Sequence, residues 1–194
     1  MTRLFRIFSR NRKQARGFKI KPHQLNVYQE VQSFLLENSN AIRAIHLDRK
    51  SELQMALSSQ IKNRLQQFGH RYNLEEGVEI SDGCFPFEMD IEHAVHFVRA
   101  SVRRREQIES FVSKFDHRLD VFYEDLCADQ GGVLARVCKF LGVEPEPGMK
   151  SQFVKIVDRD YREYISNFDD LCREIRGTEF ADHLPEIDAR AGQQ

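Results

Sequence analysis

The stretch Ala41-Ile42-Arg43-Ala44-Ile45-His46-Leu47-Asp48-Arg49-Lys50-Ser51-Glu52-Leu53-Gln54 decides the fold. Its first seven residues are mostly apolar and include two β-branched isoleucines, which suits a strand in a sheet. Ser51 followed by Gln54 three positions on is a capping-box pattern, so a helix opens there. Leu53, Leu57, Ile61, Leu65 and Phe68 then recur at helical spacing and share one face. Gly69 stands where a helix commonly ends in a left-handed residue. The reading predicts a strand over 41–47, a short turn and a helix over 51–68, which is the βα unit of an α/β protein.

Outward from this unit, Phe18 and Ile20 alternate with Lys19 and Lys21 before Pro22, predicting a half-buried strand over 17–21. Val27, Tyr28, Val31, Phe34 and Leu35 predict a helix over 25–36, closed by Asn38-Ser39-Asn40. Residues 70–87 read as a loop with one short edge strand at 78–80. A long helix over 87–115 carries an apolar stripe from Ile91 to Phe115, and Arg105 falls near that stripe, with its stem expected to run along apolar surface to solvent. A strand over 119–123, a helix over 132–140 stopped by Gly142, an extended piece over 153–157 and a helix over 167–176 stopped by Gly177 follow. This order predicts an α/β fold, a parallel sheet with helices on both faces in three layers.

The 194 residues suit one domain, read as a basic arm over 1–16, the α/β body over 17–184 and a tail over 185–194. Hydrophobic residues at 41% and charged residues at 30% give a globular balance, and no run is long and apolar enough for a transmembrane helix. A net charge of −1 argues neither for nucleic acid nor for an anionic membrane, and nucleic acid is not expected as a partner. The arm carries Arg3, Arg6, Arg10, Arg12, Lys13 and Arg16 without an acid, and it reads as a solvated segment or an anion contact. Cys84, Cys127, Cys138 and Cys172 lack metal-site spacing and read as reduced packing thiols of a cytoplasmic protein.

The turn between the 41–47 strand and the 51–68 helix is the best site candidate. Ligands of parallel α/β sheets bind beyond the carboxyl ends of strands, and a helix N-terminus there favours an anion. Arg49 can grip a phosphate by two parallel hydrogen bonds and Ser58 can add a third; otherwise Arg49 is a surface residue and Ser58 a small packing residue. Tyr123-Glu124-Asp125-Leu126 ends the 119–123 strand, where Tyr123 could stack on a base or pack under a helix, Asp125 could cap the next helix and Glu124 could pair with a basic residue, the structural roles leading. His93 and His96 lie three apart on a helix but have no third ligand, so no metal site is expected. No Walker-type glycine loop occurs.

Four segments carry a family resemblance. Ile45 to Leu53 with Ser58 resembles the 3′-phosphate-binding segment of sulfotransferases that use 3′-phosphoadenylyl sulfate (PAPS). Val121 to Leu126, with the helix ending Phe140-Leu141-Gly142-Val143, is similar to the family's Tyr-Glu-Asp-Leu stretch. Gly17-Phe18-Lys19 resembles its Gly-Phe-Lys strand, and Ile165 to Leu171 with Arg176-Gly177-Thr178 resembles the C-terminal segment of bacterial carbohydrate-type members. The resemblance implies a P-loop-type fold and PAPS or adenosine 3′,5′-bisphosphate as the nucleotide. It gives Arg49 and Ser58 to the 3′-phosphate, Tyr123 to the adenine, and Arg176 and Gly177 to closure over the nucleotide. It implies sulfonate transfer to a hydroxyl or amine acceptor, a carbohydrate among them, with no metal.

The family also places an Arg-Ser-Gly-Thr loop after its first strand to cradle the 5′-phosphosulfate. No such loop is found here, so the first strand-loop-helix unit is expected to be absent, and no catalytic base is assigned. Two other readings follow: a truncated, inactive relative that retains nucleotide binding, and an interaction module acting through the basic arm. Loss of the first unit predicts apolar exposure near the N-terminus or self-association.

Overall fold

The computed structural model describes residues 15–71, 77–145, 148 and 160–188. The chain forms two compact units, one from Met1–Asp48 and Glu106–Met149, the other from Arg49–Arg105 and Lys150–Gln194. The helices are α1 (Pro22–Val27), α2 (Gln29–Glu37), α3 (Glu52–Gln67), α4 (Ile91–Val112), α5 (Tyr123–Ala128), α6 (Gln130–Leu141), α7 (Phe168–Arg176) and α8 (Pro185–Asp188), and the strands are β1 (Arg43–Asp48) and β2 (His117–Phe122). The class is mixed helix and strand with a parallel sheet, two strands wide among the described residues.

In the first unit β1 and β2 pair in parallel, with Arg43 opposite His117 and Asp48 opposite Phe122. Side chains alternate across a sheet, so Ala44 and His46 share one face with Arg118 and Asp120. Ala44 packs with Leu35 of α2, and with Phe111 and Phe115, whose rings meet edge to face at 5.5 Å. The helix α6 starts on Asp129, whose carboxylate accepts from the Gly132 N–H at 2.8 Å. It ends on Gly142 at φ +70°, a left-handed conformation that costs a residue with a Cβ free energy.

In the second unit α3 begins as expected: the Ser51 hydroxyl caps it by accepting from the Gln54 N–H at 3.1 Å. Leu53, Ala56, Leu57, Ile61 and Leu65 bury the core face of α3. Ala94 and Val98 of α4, Phe168, Leu171, Cys172 and Ile175 of α7, and Ile187 of α8 complete that core. Asn167 ties two distant segments together: its side chain accepts from the Met89 N–H at 2.8 Å and donates to the Met89 carbonyl at 2.9 Å. Phe87 and Ile165 form a parallel bridge beside it.

Several expectations are corrected. Residues 17–21 are not a strand, since no described segment pairs with them; Ile20 packs on the Leu35–Phe111 cluster while Phe18 stays about half exposed. The 25–36 helix is two helices, broken at Tyr28, whose φ −109° and ψ 74° lie outside the helical region. Val78 and Ile80 are exposed and form no edge strand. The second strand begins two residues earlier than expected, because the backbones of His117 and Arg118 pair with β1 despite polar side chains. Asp125 is not the cap of α6; Asp129 is. The Arg105 side chain is 32% exposed, and its guanidinium also turns to Glu52, as described below. Cys84, Cys138 and Cys172 are buried thiols, whereas Cys127 is exposed. Phe18, Val27 and Tyr28 are exposed. Most of the basic arm, the 153–157 piece and the last six residues lie outside the described residues. No described helix is long and apolar enough to cross a membrane.

Candidate anion-binding site

The site candidate is built on the turn that leads into α3. Arg49 follows β1 directly, and Ser51 two residues on is buried as the helix cap. The turn is pinned from both ends. One terminal nitrogen of Arg105 donates to the Arg49 carbonyl, and the Ser51 hydroxyl holds the Gln54 N–H.

Ser58 lies two turns into α3, half-buried and outside the face formed by Leu53, Leu57, Ile61 and Leu65. A helical serine commonly bonds back to a carbonyl one turn earlier. The Ser58 hydroxyl makes no hydrogen bond to another described residue. Lys62, four residues on, sits above it on the same face. Burial, and next the charge of Arg49, hold the Lys62 ammonium below the usual lysine range. Like charges approach this way at a cost, which a bound dianion would remove.

The sequence reading singles out Arg49 and Ser58 and does not include Lys62. The signal was present, since Ser58 and Lys62 are i and i+4 on one helix. Tyr123 opens α5 where β2 ends, half-buried. Arg176 is the last residue of α7, exposed, with no hydrogen bond or ion pair to a described residue. Gly177 caps α7 at φ −81°, a conformation open to any residue, although an added Cβ would sit 3.3 Å from the Glu174 carbonyl oxygen.

A second polar cluster lies in the first unit. His46 Nδ1 is 3.0 Å from Asp120 Oδ1 across the β1–β2 pair. Arg118 grips Glu109 through two 2.8 Å hydrogen bonds and also donates to Asp120 at 2.7 Å. His46, Glu109 and Asp120 offer donor atoms within 4.8 Å of one another, a spacing that could hold a cation. The Arg118 guanidinium already bridges both carboxylates, so the cluster reads as an ion-pair network that joins α4, β1 and β2. His93 and His96 are both exposed on α4.

No protein-family model matches the chain, and no curated protein or solved structure matches it either.

Proposed function

We propose that Arg49, Ser58 and Lys62 bind the 3′-phosphate of a 3′-phosphoadenylyl nucleotide, in a sulfotransferase-like protein built on a P-loop-type sheet. The observation that carries this reading is that Ser58, one turn before Lys62 on α3, makes no side-chain hydrogen bond to a described residue, while burial and the charge of Arg49 lower the Lys62 pKa. A terminal phosphate is a dianion with several acceptor oxygens. A guanidinium fork, an ammonium and a hydroxyl complement it in charge and in hydrogen bonding. The sequence resemblance supplies the identity of the nucleotide, and the geometry supplies the reason for a monoester phosphate.

In the transfer reaction an acceptor oxygen would attack the sulfur of PAPS. The new O–S bond forms as the S–O bond to the 5′-phosphate breaks. The acceptor's proton passes to a base, and adenosine 3′,5′-bisphosphate leaves.

Calorimetric titration with adenosine 3′,5′-bisphosphate and with adenosine 5′-phosphate tests the binding step. The bisphosphate should bind at least about tenfold more tightly, and Arg49→Ala or Ser58→Ala should erase that preference. Equal affinity for both nucleotides, or an unchanged preference in Arg49→Ala, overturns the reading. Transfer of labelled sulfonate from PAPS to a hydroxylated glycan then separates an enzyme from a protein that only binds the nucleotide.

A further inference from the structure

Arg105 of α4 lies in the second unit. Its guanidinium forks, one terminal nitrogen pairing with Glu52 Oε1 at 2.5 Å and the other donating to the Arg49 carbonyl. The Glu52 side chain is only 3% exposed. Its second carboxylate oxygen has no hydrogen-bond partner among the described residues, nor has the buried hydroxyl of Ser101, one turn before Arg105 on α4. An ion pair with one partner buried, the other 32% exposed, and leftover acceptor capacity is a poor stabilising device compared with packed apolar side chains. Its distinctive effect is geometric. It fixes the backbone of the residue that carries the proposed phosphate-gripping guanidinium.

We infer that Arg105 is a positioning residue for the anion site: anchored on Glu52, it holds the Arg49 turn so that the Arg49 side chain enters the site pre-oriented. This rests on the binding reading above. The carboxylate of Glu52 serves two ends. It orients the fork, and it cancels the charge of Arg105 so that the anchor adds no net repulsion beside Arg49 and Lys62. A guanidinium suits the task because its planar donors can hold a carboxylate and a carbonyl at once, which a single ammonium does less well.

The test uses the full chain. Arg105→Lys keeps a cation opposite Glu52 and gives up the fork. Glu52→Gln/Arg105→Met removes both charges together, and it decides the matter if a single variant is poorly folded. Affinities for adenosine 3′,5′-bisphosphate and for adenosine 5′-phosphate are measured alongside the melting temperature. We expect both variants to lose about tenfold in affinity for the bisphosphate, with the monophosphate unchanged. A residue that only stabilised the fold would shift both nucleotides together or neither, and either pattern in a folded variant overturns the inference. If the parent protein binds both nucleotides equally, the binding reading itself fails. If the parent discriminates and Arg49→Ala does not, while Arg105→Lys and the double variant still do, the positioning role alone fails.

Discussion

Lys62 holds its charge where the folded protein disfavours it. Burial and the neighbouring Arg49 lower its pKa, so the folded state binds this proton less tightly than the unfolded chain does. In the window between the lowered value and the ordinary lysine value, the unfolded chain carries the extra proton, and stability rises with pH. Lys62→Met removes the penalty. The ligand-free variant should melt no lower than the parent and should lose the parent's gain in stability on moving to alkaline pH. Its affinity for adenosine 3′,5′-bisphosphate should fall about tenfold, because one of the two cations proposed to bind the phosphate is gone. A lower melting temperature with undiminished affinity would make Lys62 a structural residue. Arg105 shows what a linear pattern hides at this scale. Its place near an apolar stripe was visible, but its partner Glu52 lies on another helix and heads for the interior rather than for water.

Helices declare themselves through local chemistry, and this chain follows that rule. The start and the core face of α3 were legible because the Ser51 cap, the Gln54 N–H it accepts from and the leucine face lie within a few turns of one another. Gly142 and Gly69 marked helix ends, and both have positive φ. The break at Tyr28 was not legible, since Val27 and Tyr28 fit the helical spacing yet stay largely exposed. Strand readings at 17–21 and 78–80 failed for a different reason, because alternation says nothing about whether a partner strand exists. Of the site, the half adjacent in sequence could be read. Asn167 with Met89, like His46 with Asp120, joins residues too distant in the chain for any spacing rule. The cap of α6 gives a test at this scale. Asp129 supplies the bond to the Gly132 N–H, so Asp129→Ala should destabilise the protein by about 1 kcal/mol in urea unfolding, with Asp129→Asn costing less. Equal stability for Asp129→Ala would show that another group caps the helix.

Acid sensitivity of the whole molecule should concentrate in the ion-pair network that joins α4, β1 and β2. For Asp120, burial alone would raise the pKa, but the hydrogen bonds and charges of Arg118 and His46 outweigh it and hold the carboxyl below its usual value. The Arg118 hydrogen bonds likewise depress Glu109. Both groups therefore bind protons less readily folded than unfolded. Their contribution is fully present above the ordinary carboxylate range, near about pH 4 to 5, and it is lost as pH falls through the depressed folded values. Arg118 stays charged throughout, so the loss comes from the carboxylates. The Asp120 side chain is 41% exposed, and solvent screening limits its share to about 1 kcal/mol. Asp120→Asn keeps the shape and one acceptor while removing the titrating charge. It should lower stability at pH 7 by about that amount and flatten the decline between about pH 5 and pH 3. Urea unfolding of both proteins across that range reads the difference directly. The paired strands hold distant parts of the sequence in one unit, so weakening the charge across them acts on the fold of that unit rather than on one side chain. If the two proteins lose stability in parallel on acidification, the acid response lies with other carboxylates, and the network serves only to align the strands.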